Sequence, residues 1–216
     1  MKKIFLLSIV TMSVTLVHAQ LSKGTIQLGG GFSYYSIGEK TEGLPSLKTS
    51  YFSIQPNVGY FVADRNVVGL ILMFENNKDE GRSFNAGTGQ VLEHTISSSI
   101  LSFGAYHRAF FSVNDYVAFF VQTKFMYGVG SRDLEYDLPM FEDETEDVTS
   151  IDINLTPGIA VFVSPKIGID VSVGLFGYES VTTENSDIDY KATENSVSAR
   201  FNLSTLALGL QYYPSR

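Results

Sequence analysis

Ile167-Gly168-Ile169-Asp170-Val171-Ser172-Val173-Gly174-Leu175 is the stretch that decides the fold. Ile167, Ile169, Val171, Val173 and Leu175 fall on one face of an extended backbone, and Gly168, Asp170, Ser172 and Gly174 on the other. Strict alternation is the period of a β-strand, whose successive side chains point to opposite faces; a helix needs a period of about 3.6. The pattern continues outward from there. Between Ser150 and Val163, Ile151, Ile153, Leu155, Ile159, Val161 and Val163 oppose Asp152, Asn154, Thr156, Gly158 and Ala160. Phe52, Ile54, Val58, Tyr60 and Val62 oppose Tyr51, Ser53, Gln55, Asn57 and Gly59. Further on, Phe119, Val121, Phe125 and Tyr127 oppose Gln122, Lys124 and Gly128.

The spacing predicts eight strands, at 25–37, 49–62, 67–76, 94–111, 116–130, 150–163, 167–179 and 196–213. Their links alternate in kind. Ala63-Asp64-Arg65-Asn66, Ser112-Val113-Asn114-Asp115 and Ser164-Pro165-Lys166 are tight, whereas 38–49, 77–93, 131–149 and 180–195 are long and polar. A water-soluble sandwich has no reason to sort its loops this way. A barrel crossing an outer membrane does, with short turns on the periplasmic side and long loops outside. The expected fold is therefore all-β, an eight-stranded antiparallel up-and-down transmembrane barrel. Two irregularities are expected. The apolar face changes phase between Val197, Phe201, Leu203 and Leu206, Leu208, Leu210, which calls for a bulge near Ser204-Thr205. Pro56 and Pro157 sit within strands, where proline cannot donate to a ladder. They belong to an internal echo, Ile54–Val62 against Leu155–Val163, that reads as a reused hairpin.

Lys2-Lys3, the apolar run Ile4–Val17 and the small residues of Val17-His18-Ala19 read as a signal peptide over 1–19. Cleavage before Gln20 leaves the barrel domain, 20–216. The apolar core is too short for a membrane helix, and no later stretch reaches the ~18 apolar residues one needs. The chain has no Cys, which excludes disulfides and thiolate metal sites. Mean hydropathy of +0.08 suits a barrel, because every second residue faces the lumen. The net charge of −8 would repel the phosphates of nucleic acid.

Three motifs carry a resemblance: Lys23-Gly24-Thr25 leading into Gly29-Gly30-Gly31-Phe32, Pro56-x-Val58-Gly59-Tyr60-Phe61-Val62 before a turn, and Phe125-Met126-Tyr127-Gly128-Val129-Gly130. With these the chain resembles the small outer-membrane β-barrel proteins of the Bacteroidota, relatives of OmpA/OmpX-type eight-stranded barrels. The resemblance spans nearly all of 20–216. It implies a membrane barrel, commonly without an assigned activity. Because the chain stops at Arg216, the OmpA-like periplasmic domain is not expected.

If the apolar face meets lipid, the polar face fills the lumen. It carries Glu75, Arg108, Lys124, Asp152, Asp170 and Arg200, a set of mixed sign that could pair. Unpaired buried charge costs several kcal/mol, so a filled lumen requires such a mixture. Tyr34, Tyr60, Phe61, Phe111, Tyr116, Phe119, Tyr127, Phe162, Tyr178, Tyr212 and Tyr213, near strand ends, are read as interfacial girdles.

Catalytic signals are weak. His94 lies close in sequence to Ser97, Ser98 and Ser99, the residue types of a nucleophile and its base, but one His beside a serine run is commonplace. His107 reads as a rim residue. The acidic stretch Asp133, Glu135, Asp137, Glu142, Asp143, Glu144, Glu146 and Asp147 offers oxygens to divalent cations without matching a calcium-loop motif, and reads as a solvated loop. Gly29-Gly30-Gly31 lacks the Lys-Ser/Thr of a phosphate loop. The expectation is an integral outer-membrane protein with a side-chain-filled lumen, not an open porin and not an enzyme, without catalytic residues, cofactor or metal. Its expected partners are outer-membrane lipid and lipopolysaccharide, with periplasmic chaperones and the barrel-assembly machinery during biogenesis. It should bind no nucleic acid and be a monomer. The alternatives are a barrel enzyme acting on lipid A or phospholipid, and a barrel whose outer loops capture a surface ligand.

Overall fold

The computed structural model describes residues 21–40, 47–85, 90–136, 144–174, 176–185, 189–199 and 206–214. They form β1 (Ile26–Glu39), β2 (Leu47–Ala63), β3 (Asn66–Asn85), β4 (Gln90–Ser112), β5 (Val117–Tyr136), β6 (Glu144–Ser164), β7 (Ile167–Val173), β8 (Phe176–Asn185), β9 (Tyr190–Ala199) and β10 (Leu206–Tyr212). Every pairing is antiparallel. The ladder runs β1-β2-β3-β4-β5-β6-β7-β10 and returns to β1, a closed ring. Closure suits a membrane, because lipid can satisfy no open edge. β1 joins β10 over Leu28–Phe32 only; above that, among the described residues, β1 pairs with β2 alone and β9 with β8 alone.

The faces divide as the alternation requires. Leu70 is 64% exposed, Leu210 60% and Phe103 57% on the outside, while Ser53, Ser102 and Gln27 are fully buried within. An apolar exterior around a polar interior is the inverse of a soluble barrel and the arrangement of a membrane one.

The structure departs from the expected strand list in two ways. The long polar segments are largely ladder: β3 and β4 pair without a break from Asn66↔Ala109 to Asn85↔Gln90, and β5 and β6 to Leu134↔Glu144. Above the membrane both faces of a strand meet water, so the hydrophobic alternation fades while the backbone bonds continue. Second, the last two expected strands are each split. β7 and β8 form one stave with a bulge, since β6 runs from Gly158 to Leu155 opposite one residue more between Ser172 and Phe176. β9 and β10 share the next stave. Val197 and Leu208 both face outward, so the phase changes between β9 and β10, as the sequence requires; Ser204-Thr205 lie outside the described residues.

Both prolines stand where the ladder is interrupted. β2 has no β3 partner at Gln55 and Pro56, and β6 has none on β7 or β8 at Thr156 and Pro157. A missing N–H costs least where no bond was due. The sequence echo is also a structural one: the next-to-last residue of each copy is an inward phenylalanine, Phe61 or Phe162, and the register shifts just after it.

The tight turns and both described chain ends lie at one end of the barrel. Arg65 N–H donates to Leu21 O at 2.7 Å, and Tyr213 N–H to Lys166 O at 2.8 Å. With short turns periplasmic and no native Cys to interfere, an impermeant thiol reagent should label Glu194→Cys in intact cells. Lys166→Cys should label only after the outer membrane is permeabilised. The opposite order would invert the topology.

Candidate functional site: the barrel lumen

Arg108 on β4 organises the floor of the lumen. Its Nη1 meets Asp170 Oδ2 of β7 at 2.6 Å and its Nε donates to Gln122 Oε1 of β5 at 2.8 Å. The guanidinium lies 4.3 Å from the Phe120 ring centre and 5.6 Å from that of Phe110. Arg108 and Asp170 are 5% and 4% exposed. A planar, weakly hydrated guanidinium suits this place because it can bond in its plane and stack on its faces. Next to this pair, Gln27 Nε2 donates to Gln211 Oε1 at 2.8 Å.

Below the charges the lumen is greasy. Phe61, Phe110, Phe120, Phe162 and Tyr213 pack with Val67 and Ala118 into a buried cluster, joined by Leu21. Ring centres stand 6.0 Å apart for Phe61–Phe110 and 5.7 Å for Phe162–Tyr213. This corrects the girdle assignment for Phe61, Phe162 and Tyr213, which point inward and plug the short-turn end. Tyr34, Tyr60, Phe111, Phe119 and Tyr212 are exposed on the outside. The plug was readable: Tyr60-Phe61-Val62, Phe110-Phe111, Phe119-Phe120, Val161-Phe162-Val163 and Tyr212-Tyr213 all adjoin short turns or the described chain end. Apolar runs without alternation mean that both faces are apolar there.

Above Arg108 the lumen is mixed, with Ile71, Met73 and Met126 buried beside polar and charged groups. Tyr51 donates its hydroxyl to Glu75 and stacks on Tyr35 with ring centres 5.1 Å apart. Ser150 Oγ donates to Asp152 Oδ2 at 3.3 Å, and Lys124 Nζ to Gln55 Oε1 at 3.4 Å. Thus the structure joins Arg108 to Asp170 in a contact ion pair. It lines one cavity with Glu75, Lys124 and Asp152, without such a pair among the three. Arg200 lies outside the described residues. Ile100 also faces this cavity, which settles the phase that Ser97–Ser99 blur.

The other singled-out residues do not converge on this floor. His94 lies over Gly81, its ring 6.5 Å from that of Tyr136. It shares a strand face with Ser98, four residues on, roughly 13 Å along the strand and far beyond a nucleophile–base hydrogen bond. His107 is exposed, 3.3 Å from Asn66 Oδ1. The described part of the acidic stretch is hairpin, not loop, with Arg132 3.8 Å from Glu146 and Thr145 donating to Asp133 at 2.9 Å; Asp137, Glu142 and Asp143 lie outside the described residues.

A closed antiparallel ring with an apolar outside and a charged, plugged inside defines an outer-membrane β-barrel. The outer membrane protein beta-barrel domain family matches residues 4–202, and the chain belongs to that family. No curated protein matches it in sequence. Among solved structures it is similar to Neisserial surface protein A, at 16% identity over 87% of this chain and 95% of that one, with a TM-score of 0.40. Ail, the attachment invasion locus protein of Yersinia pestis, matches at 16% over 88% and 99%, TM-score 0.37. A major outer membrane protein from Thermus thermophilus matches at 11% over 88% and 98%, TM-score 0.43.

Proposed function

We propose that the protein is a structural or surface-interaction component of the outer membrane, neither an open porin nor an enzyme. One observation carries this reading: the aromatic plug under the Arg108–Asp170 pair fills the lumen at the short-turn end. A ring of this size has an interior that side chains can fill. Solute-sized passage would require that plug to move. The apolar exterior meets lipid and lipopolysaccharide, and before insertion it needs periplasmic chaperones and the barrel-assembly machinery. Ring closure along the span supports a monomer. The leader 1–19 directs export, and sequencing of the mature N-terminus should begin at Gln20.

In planar bilayers the purified barrel should give no steady porin-sized conductance. Stable ohmic steps in the wild-type protein would contradict the closed lumen. Lipid A and phospholipid mass profiles should be identical with and without the gene, whereas a gained or lost acyl chain would favour a barrel enzyme.

A further inference from the structure

Above the apolar belt, the outward faces of β2 and β3 each carry a lysine. Ile54 and Phe74 are exposed on the outside. Lys48 lies six residues before Ile54 and Lys78 four residues after Phe74, so the period of two puts both lysines on that same face. Both are exposed. Lys78 pairs with Ser50, which makes Lys48, two residues beyond Ser50, its diagonal neighbour, with Cβ atoms roughly 7–8 Å apart. Among the described residues neither lysine has an ion pair; those that form are Arg108–Asp170, Arg132–Glu146 and Lys191–Glu184. Asp79 turns to the other face, where it accepts from the Thr49 hydroxyl at 2.6 Å, and the next outward acid on β3 is Glu80, two residues beyond Lys78.

Two further observations bear on what covers this face. Just below the lysines an aromatic row crosses three strands: Phe32, Phe52 and Phe74, with ring centres 5.7 Å and 6.4 Å apart. Around the ring the same level turns acidic. Lys78 pairs with Ser97 of β4, and Ser97 with Asp133 of β5. Asp133, four residues after outward Val129, and Asp147, four before outward Ile151, share the outer face. An anion is therefore drawn towards β2–β3 and turned away from β5–β6. Lysine stems can lie along apolar surface while their ammonium groups reach the headgroup level. An anionic headgroup carried on acyl chains matches the lysines and the aromatic row together, whereas a soluble polyanion matches the lysines alone. Building on the reading that the exterior meets lipid, we propose that the outer face of β2–β3 is a binding site for the phosphorylated sugar headgroup of lipid A. Lys48 and Lys78 bracket its phosphate, and its acyl chains lie on Phe52 and Phe74.

The test is native mass spectrometry of the refolded full-length barrel in detergent micelles, titrated with monophosphoryl lipid A and with its dephosphorylated form. The wild type should hold the phosphorylated lipid about tenfold more tightly, the scale set by two lysines near a headgroup, and Lys48→Gln/Lys78→Gln should erase that preference. Lys191→Gln, which removes a lysine already paired with Glu184, should bind as the wild type does. All three positions are exposed, and heat-modifiability on a gel checks that each variant is folded. Equal retention of the two lipids by the wild type would overturn the phosphate site and leave the lipid-facing exterior standing; retention of neither would overturn both. An unchanged preference in the double variant would also overturn the proposal. So would displacement of the lipid by equimolar inorganic phosphate or dextran sulfate, which would assign the lysines to a soluble anion.

Discussion

Replacing Arg108 with Met should cost the folded barrel about 3–5 kcal/mol, as expected when one partner of a buried ion pair is removed. Asp170 would be left 4% exposed without its counter-charge, and Gln122 would lose the donor that meets it at 2.8 Å. The flexible Met side chain would keep some contact with Phe110 and Phe120, so lost packing is the smaller term. The double change Arg108→Met/Asp170→Asn should recover part of the loss, because it removes the stranded charge. Unfolding midpoints in urea, measured in lipid vesicles, check both. If the single and double variants unfold where the wild type does, water reaches the floor and the plug does not seal it.

The second large effect lies on the other face. Val171 pairs with Ile159 and Leu208, both exposed to the outside. Val171→Arg should destabilise the inserted barrel by about 2–4 kcal/mol if it lies near the bilayer midplane, where a lipid-facing arginine is most costly. Ser172→Arg, one residue on, faces a cavity already lined by carboxylates and should cost clearly less. Equal penalties at the two positions would mean that the sheet does not separate lipid from lumen.

How much of this was legible in the sequence depended on where alternation survives. Within the membrane, lipid on one side and packed polar groups on the other imprint a period of two, so the faces of Ile167–Val173 and of β2 could be read directly. Above the membrane the contrast vanishes, which is why β3 reads as ending near residue 76 while its ladder runs to Asn85. At the short-turn end the contrast vanishes the other way, with Phe61 and Phe162 apolar inward beside apolar outward neighbours. Strand phase places Glu75, Arg108, Lys124, Asp152 and Asp170 in the lumen, but it misses Glu179, which the bulge between β7 and β8 turns inward. Nor does phase give partner choice: Arg108 meets Asp170 from three strands away in the ring, β4 to β7, and that distance depends on register and tilt that no local pattern encodes. Likewise Glu75 is met by the Tyr51 hydroxyl of the neighbouring strand, a bond that charge counting overlooks.

The central claim is that the apolar face of the closed ring meets lipid and the polar face does not. The chain has no Trp, so single tryptophans report without background. In vesicles containing brominated lipid, Val171→Trp and Leu208→Trp should be strongly quenched, and Ser172→Trp, directed into the lumen cavity, should keep its emission. Quenching of Ser172→Trp with Val171→Trp and Leu208→Trp unaffected would contradict the account.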